Sequence, residues 1–127
     1  MAKEIAETIA PLQKAIQVVV GDQLSSVTFV MDYWQLAFDG HVFSVFTRLS
    51  VTRGATTVQS GENGFRDLLC EQITQIVNRI DFVDGILAVT FADGSAIHAF
   101  ARDEDYRHPC PEALTFESYK FKTMYVV

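Results

Sequence analysis

Apolar residues at Ile5, Ile9, Leu12, Ile16 and Val19 recur at spacings of four, three, four and three, which places one stripe along a helix. Pro11 interrupts the stripe, and a proline disfavours helical geometry in the residue before it. Either the helix kinks there or it begins near Pro11. The stripe stays in phase across the proline, which favours a kinked helix, and Gly21-Asp22 ends it. The spacing then changes to that of strands. Val27–Met31 and Tyr33–Phe38 are expected strands, Val42–Thr47 is the return after Asp39-Gly40, and Leu49–Arg53 continues the sheet. Residues 54–64, rich in Gly, Thr and Ser, read as a loop.

A second helix is predicted from Phe65 to Val77, with Phe65, Leu68, Leu69, Ile73 and Ile76 on its apolar face. Asn63 is its expected N-cap, and Asp67 lies in the first turn, where the helix dipole favours an acid. Strands follow at Asn78–Val83, Ile86–Phe91 and Ser95–Ala101, separated by Asp84-Gly85 and Asp93-Gly94. Arg102 to Glu112 is a charged loop, and Lys120–Val127 is a terminal strand. The fold class that results is α+β: two helices packed on a mainly antiparallel sheet of about eight short strands, in a single domain spanning residues 1–127.

The two halves echo each other at an offset of 53 residues. Leu12 meets Phe65, Ile16 meets Leu69, Phe29 meets Phe82, Leu36 meets Val89 and Phe38 meets Phe91. One extra residue, Ala92, then brings Asp39-Gly40 onto Asp93-Gly94. An internal repeat of helix plus strand meander is the reading, set against the frequency of chance apolar matches in a chain that is 49% hydrophobic.

Charge narrows the partners. The net charge is −6, and the ten basic residues are scattered, so phosphate neutralisation on one face is not provided for. Nucleic acid and anionic membrane surfaces are therefore not expected partners. The acidic N-terminal residues lack the pattern of a signal peptide, no run approaches a membrane span, and Cys70 and Cys110 read as reduced thiols. A bacterial, cytoplasmic protein is the expectation.

Candidate chemistry is sparse. The Asp-Gly pairs read as type I′ turns rather than gathered carboxylates. Gly61-Glu62-Asn63-Gly64 lacks the lysine of a phosphate loop, and Glu62 would repel phosphate. His98, His108 and Cys110 do not have the paired spacing of a zinc site, and His41 reads as a turn residue. His98 is expected at the surface, and Cys70 as helix packing. No metal, cofactor or catalytic constellation is expected.

Two stretches remain. Tyr33 and Gln35 alternate with Trp34, Leu36 and Phe38, so they are expected to face outwards beside Phe43 and Val45, as a binding face or a sheet edge. In the Arg102–Glu112 loop, Asp103, Asp105, Tyr106 and Glu112 would converge on a concave surface that holds a cation or basic peptide; alternatively, Arg107 and Glu112 would form a structural pair that fixes the loop. The plainer reading is a solvated connection.

The runs Asp32-Tyr33-x-Gln35-Leu36-x-Phe38-Asp39-Gly40, Gly64-Phe65-Arg66-Asp67-x-Leu69-Cys70, Phe91-x-Asp93-Gly94 and Pro111-Glu112-Ala113 resemble a group of small bacterial hypothetical proteins. A weaker likeness links them to small acidic immunity-type proteins, and it implies binding to a protein partner. Three functions stand open: a non-enzymatic protein-binding domain, expected to be homodimeric through its strand surfaces; a small-ligand-binding domain; and an enzyme using acids of the 102–112 loop.

Overall fold

The computed structural model describes residues 10–106, 112–121 and 124–127. Residues 10–15 form helix α1, which tightens into a 3-10 turn at Ile16–Val19. Five strands follow: β1 (Ser26–Phe29), β2 (Trp34–Phe38), β3 (His41–Val45), β4 (Arg48–Arg53) and β5 (Thr56–Gln59). Helix α2 (Phe65–Cys70) opens the second half. It leads to β6 (Val77–Val83), β7 (Ile86–Phe91), β8 (Ala96–Phe100), β9 (Leu114–Ser118) and β10 (Tyr125–Val126). Asp39-Gly40 and Asp84-Gly85 carry positive φ at both residues, as a type I′ hairpin requires, and they join β2 to β3 and β6 to β7.

Among the described residues, ten strands form two antiparallel sheets of five, ordered β1-β2-β3-β9-β10 and β5-β4-β8-β7-β6. This corrects the expected α+β architecture of two helices on one eight-stranded sheet; the protein is mainly β. Two strands account for part of the difference. Thr56–Gln59 lies within the segment read as a loop, yet its Thr and Val residues suit a strand, and it pairs with β4. Leu114–Ser118 pairs with β3 across a long stretch of sequence. The second helix also stops at Cys70 rather than Val77. A turn follows in which Thr74 takes a φ of +85°, so Ile73 and Ile76 leave the helical stripe. The expected kink at Pro11 involves residues outside those described.

The helix-plus-meander unit is corrected as well, because neither half keeps its strands to itself. The first sheet takes β1, β2 and β3 from one half and β9 and β10 from the other; the second takes β6, β7 and β8 with β4 and β5. Within this exchange the registers correspond. Val27↔Leu36 and Phe29↔Trp34 match Ile80↔Val89 and Phe82↔Leu87 at the 53-residue offset. Leu36↔Phe43 matches Val89↔Ile97, and Phe43↔Phe116 matches Ile97↔Val51.

The halves meet at Gln23 and Ile76, themselves equivalent positions, which form an isolated antiparallel bridge. The Gly21 N–H donates to the Val77 carbonyl at 2.9 Å, and the Thr74 N–H to the Leu24 carbonyl at 2.8 Å. The Leu24 N–H donates to the Gln75 carbonyl and the Val77 N–H to the Asp22 carbonyl. Each bond is the image of another under the same offset, so the backbone is locally two-fold symmetric.

The inward faces of both sheets supply one core. Leu36, Phe38, Phe43, Val45 and Phe116 come from the first sheet, and Leu49, Val51, Ile80, Leu87, Val89, Phe91 and Ile97 from the second. Leu12 and Ile16 close one flank, Phe65 and Leu69 the other. Fully burying each large apolar side chain contributes roughly 1.5–3 kcal/mol, so this core carries the fold without a disulfide. Among the described residues no helix is long and apolar enough to cross a membrane.

Candidate functional site

Two equivalent sheet edges are treated differently by the two helices. On β6, the Gln13 side-chain oxygen accepts from the Phe82 N–H at 2.7 Å, and the Gln17 side-chain amide donates to the Ile80 carbonyl at 2.9 Å. The edge is thus capped by side chains, and Phe82 beneath is only 4% exposed. Unpaired edge groups are a template for pairing with another chain, and such a cap removes the template.

At β1 the equivalents of Gln13 and Gln17 are Arg66 and Cys70, and those of Ile80 and Phe82 are Val27 and Phe29. Neither α2 residue can do what the glutamines do. The Arg66 guanidinium lies over the Phe29 ring at 5.7 Å, and Cys70 is exposed rather than packed as expected from sequence. Phe29 is 40% exposed.

The direction of the backbone follows from the ladder. Val30 and Tyr33 exchange two N–H···O bonds, so alternation places Phe29 and Val27 at positions whose N–H and C=O point away from β2. No hydrogen bond among the described residues caps these groups.

Helix length explains the open space. Residues 10 and 11 are already helical, whereas their equivalents Asn63 and Gly64 are not. Gly64 rather than Asn63 is the N-cap, in left-handed geometry and without a side-chain cap. The shorter start leaves a cleft of about 480 Å³ lined by Trp34, Phe65, Arg66 and the loop from Gly61 to Gly64. Trp34 is half-buried and meets Phe65 edge-on at 6.1 Å. Val30 and Met31 continue the apolar surface past the end of β1, with Met31 96% exposed. Phe29, Val30, Met31 and Trp34 therefore form a contiguous apolar run beside a bare strand edge.

The residues singled out from sequence lie in two stretches, one around β2 and one between β8 and β9. Tyr33 is half-buried and packs on Phe46 at 4.9 Å. Gln35 donates to the Ser44 hydroxyl at 3.3 Å. Phe43 and Val45 do not share its face: Phe43 pairs with Leu36 and Val45 with Trp34, so both turn inwards. The expected outward Tyr/Gln/Phe/Val face is corrected accordingly.

In the charged loop, Asp103 is exposed and Asp105 is buried. Burial alone would raise the Asp105 pKa; hydrogen bonds from Arg102 and Arg48 outweigh it and hold the pKa below its ordinary value. Asp105 thus ties β4 to the end of β8, with Arg48 and Arg102 each at 2.9 Å. Both guanidinium groups also lie over the Phe100 ring. Tyr106 packs against the core, and burial raises its pKa, with Asp103 adding to the effect. Glu112 is half-buried, and Arg107, His108 and Cys110 lie outside the described residues.

Sequence reasoning missed a buried polar cluster around His41. His41, read as a turn residue, sits 1% exposed in β3. Its Nδ1 lies 2.6 Å from the Ser118 hydroxyl, and its Nε2 lies 3.3 Å from the Asp22 carboxylate. Tyr119 stacks on the ring at 5.3 Å, and the Lys120 N–H donates to the Ser118 oxygen. A shallow cleft of about 380 Å³ opens beside Ser118, lined also by Gln35, Gly40, Val42, Glu117 and Tyr119. The second half has no histidine at the equivalent place. Ser95 occupies it, buried and hydrogen-bonded to Gln72 and Asp93. The only sequence signal for His41 was its place directly after an Asp-Gly turn. His98 alternates with the buried Ile97 and Ala99 and so turns away from the core as expected; it is half-buried there, and burial lowers its pKa.

Comparisons with protein-family models, with curated proteins and with solved structures give no match to this chain.

Proposed function

We propose that the chain is a non-enzymatic, cytoplasmic protein-binding domain that docks its partner on the open side of β1 and the adjoining Trp34–Phe65 cleft. One comparison carries the reading: equivalent phenylalanines, Phe82 at 4% and Phe29 at 40% exposure, differ because a helix covers one and not the other. Burying Phe29, Val30, Met31 and the exposed part of Trp34 would supply the apolar centre of an interface. Tryptophan is a frequent energetic anchor, and here it lines a cleft. The net charge of −6 favours a basic protein over nucleic acid. A photo-crosslinking residue, p-benzoyl-phenylalanine, at Met31 in living cells tests it. A discrete protein adduct is expected at Met31 and not at Thr57 on β5. Equal, diffuse labelling at both positions would refute the reading.

A second reading is favoured by the order Asp22, His41, Ser118. It is the order of a charge-relay nucleophile with the two imidazole nitrogens exchanged. Labelling by a fluorophosphonate probe that is lost in Ser118→Ala would support it, and absence of labelling would overturn it.

A further inference from the structure

We infer that β1 receives an extended, positively charged segment of the partner as a sixth strand of the first sheet. This rests on the docking reading and specifies its chemistry. The molecule itself displays what such an edge demands. At β6 the groups satisfied by α1 and its 3-10 extension are one carbonyl and one N–H two residues apart, on Ile80 and Phe82. That is the spacing at which a neighbouring strand offers its own N–H and C=O. At β1 the same two positions, Val27 and Phe29, point outwards, and the residues equivalent to the capping glutamines are Arg66, over the Phe29 ring, and the exposed Cys70.

A backbone in extended form is the ligand that fits such a row, with alternate side chains turned to either side of the sheet. One set would fall toward the Trp34–Phe65 cleft and is expected to be apolar. Charge selects the rest. Glu62 and Asp67 outnumber Arg66 in the cleft lining, and the chain as a whole carries −6, which disfavours a second copy and favours lysine or arginine in the incoming segment.

The test uses the full chain and an eight-residue peptide of alternating lysine and valine, followed by fluorescence anisotropy and by amide hydrogen exchange. Binding is expected to protect the Val27 and Phe29 amides. The same peptide N-methylated at every second amide is expected to bind at least tenfold more weakly, because methylation removes the donors without removing the charge. The variant Arg66→Gln/Cys70→Gln places on α2 the two amides that α1 uses. It is expected to slow exchange at Phe29 in the free protein and to weaken the peptide at least tenfold.

Equal binding of methylated and unmethylated peptides, abolished by Trp34→Ala, would overturn strand addition and leave side-chain docking standing. Failure of the unmethylated peptide to bind at millimolar concentration would also overturn strand addition, while the Met31 crosslink reports separately on docking. Protection of Val27 and Phe29 without peptide, together with a doubled sedimentation mass, would replace the basic segment by a second copy.

Discussion

Thr74→Gly is expected to stabilise the protein. Thr74 and Gly21 occupy equivalent positions at the local two-fold axis, with φ of +85° and +91°, and each N–H makes the equivalent hydrogen bond. Glycine adopts this geometry freely, whereas a β-branched residue is strained there. Left-handed backbone costs an L-residue about 1–3 kcal/mol. Glycine returns roughly 0.5–1 kcal/mol of that through its greater freedom in the unfolded chain. The net gain is about 1 kcal/mol. At ~2.1 cal/mol/K of unfolding entropy per residue, a chain of 127 residues gains about 4 °C in Tm from this.

The reverse change, Gly21→Thr, provides the control. A Cβ at Gly21 meets no atom within 4 Å, so the cost is conformational rather than steric, and the same arithmetic with opposite sign gives a net loss of ~1 kcal/mol. Thermal and urea unfolding followed by circular dichroism reads both. A lower midpoint for Thr74→Gly, or an unchanged one for Gly21→Thr, would refute the argument, because the φ values would then not govern stability at the axis.

Leu69→Ala should lower unfolding stability by about 2–5 kcal/mol, since Leu69 is fully buried against the core; an unchanged urea midpoint would contradict this. Gly40→Ala should destabilise at a positive φ where the new Cβ would lie 2.7 Å from the Tyr119 ring, and Tyr119→Ala should relieve part of the loss in the double variant. The Asp105 pKa is held below 3.8, so its stabilisation is present above that value and is lost as pH falls through the lower, folded one; Asp105→Asn should flatten this acid limb and cost about 1–3 kcal/mol at neutral pH. Denaturation midpoints measured between pH 2 and pH 7 would check it, and an identical acid limb in both proteins would count against it.

What was legible in the sequence was local. Type I′ chemistry at Asp39-Gly40 and Asp84-Gly85 depends on two adjacent residues, and period-two burial places Leu36 and Phe38 inward. The 53-residue correspondence was visible because paired apolar positions keep their spacing. The exchange of strands between halves was not, since nothing near Leu114–Ser118 encodes its distant neighbour β3. The apolar phase of Ile73 and Ile76 imitated a longer helix, but the positive φ at Thr74 breaks it and leaves Ile73 half-buried and Ile76 exposed. The candidate edge was hidden for a related reason. Phe29 and Phe82 look alike in sequence, and what separates them is a glutamine pair on one helix and its absence from the other.

The exchange of strands also sets a schedule for folding. β3 pairs with β9, joining Val45 to Leu114 and His41 to Ser118, so the first sheet reaches only three strands until the C-terminal part of the chain has been made. Pairings this distant in sequence close slowly, and a nascent chain would leave the ribosome with β3 bare and Phe43 without Phe116. The second sheet is favoured to form earlier, because β4 to β8 are contiguous in sequence. Premature termination after residue 112 would therefore release a chain with one completed sheet and one exposed interior strand, which is a template for aggregation rather than a smaller version of the protein.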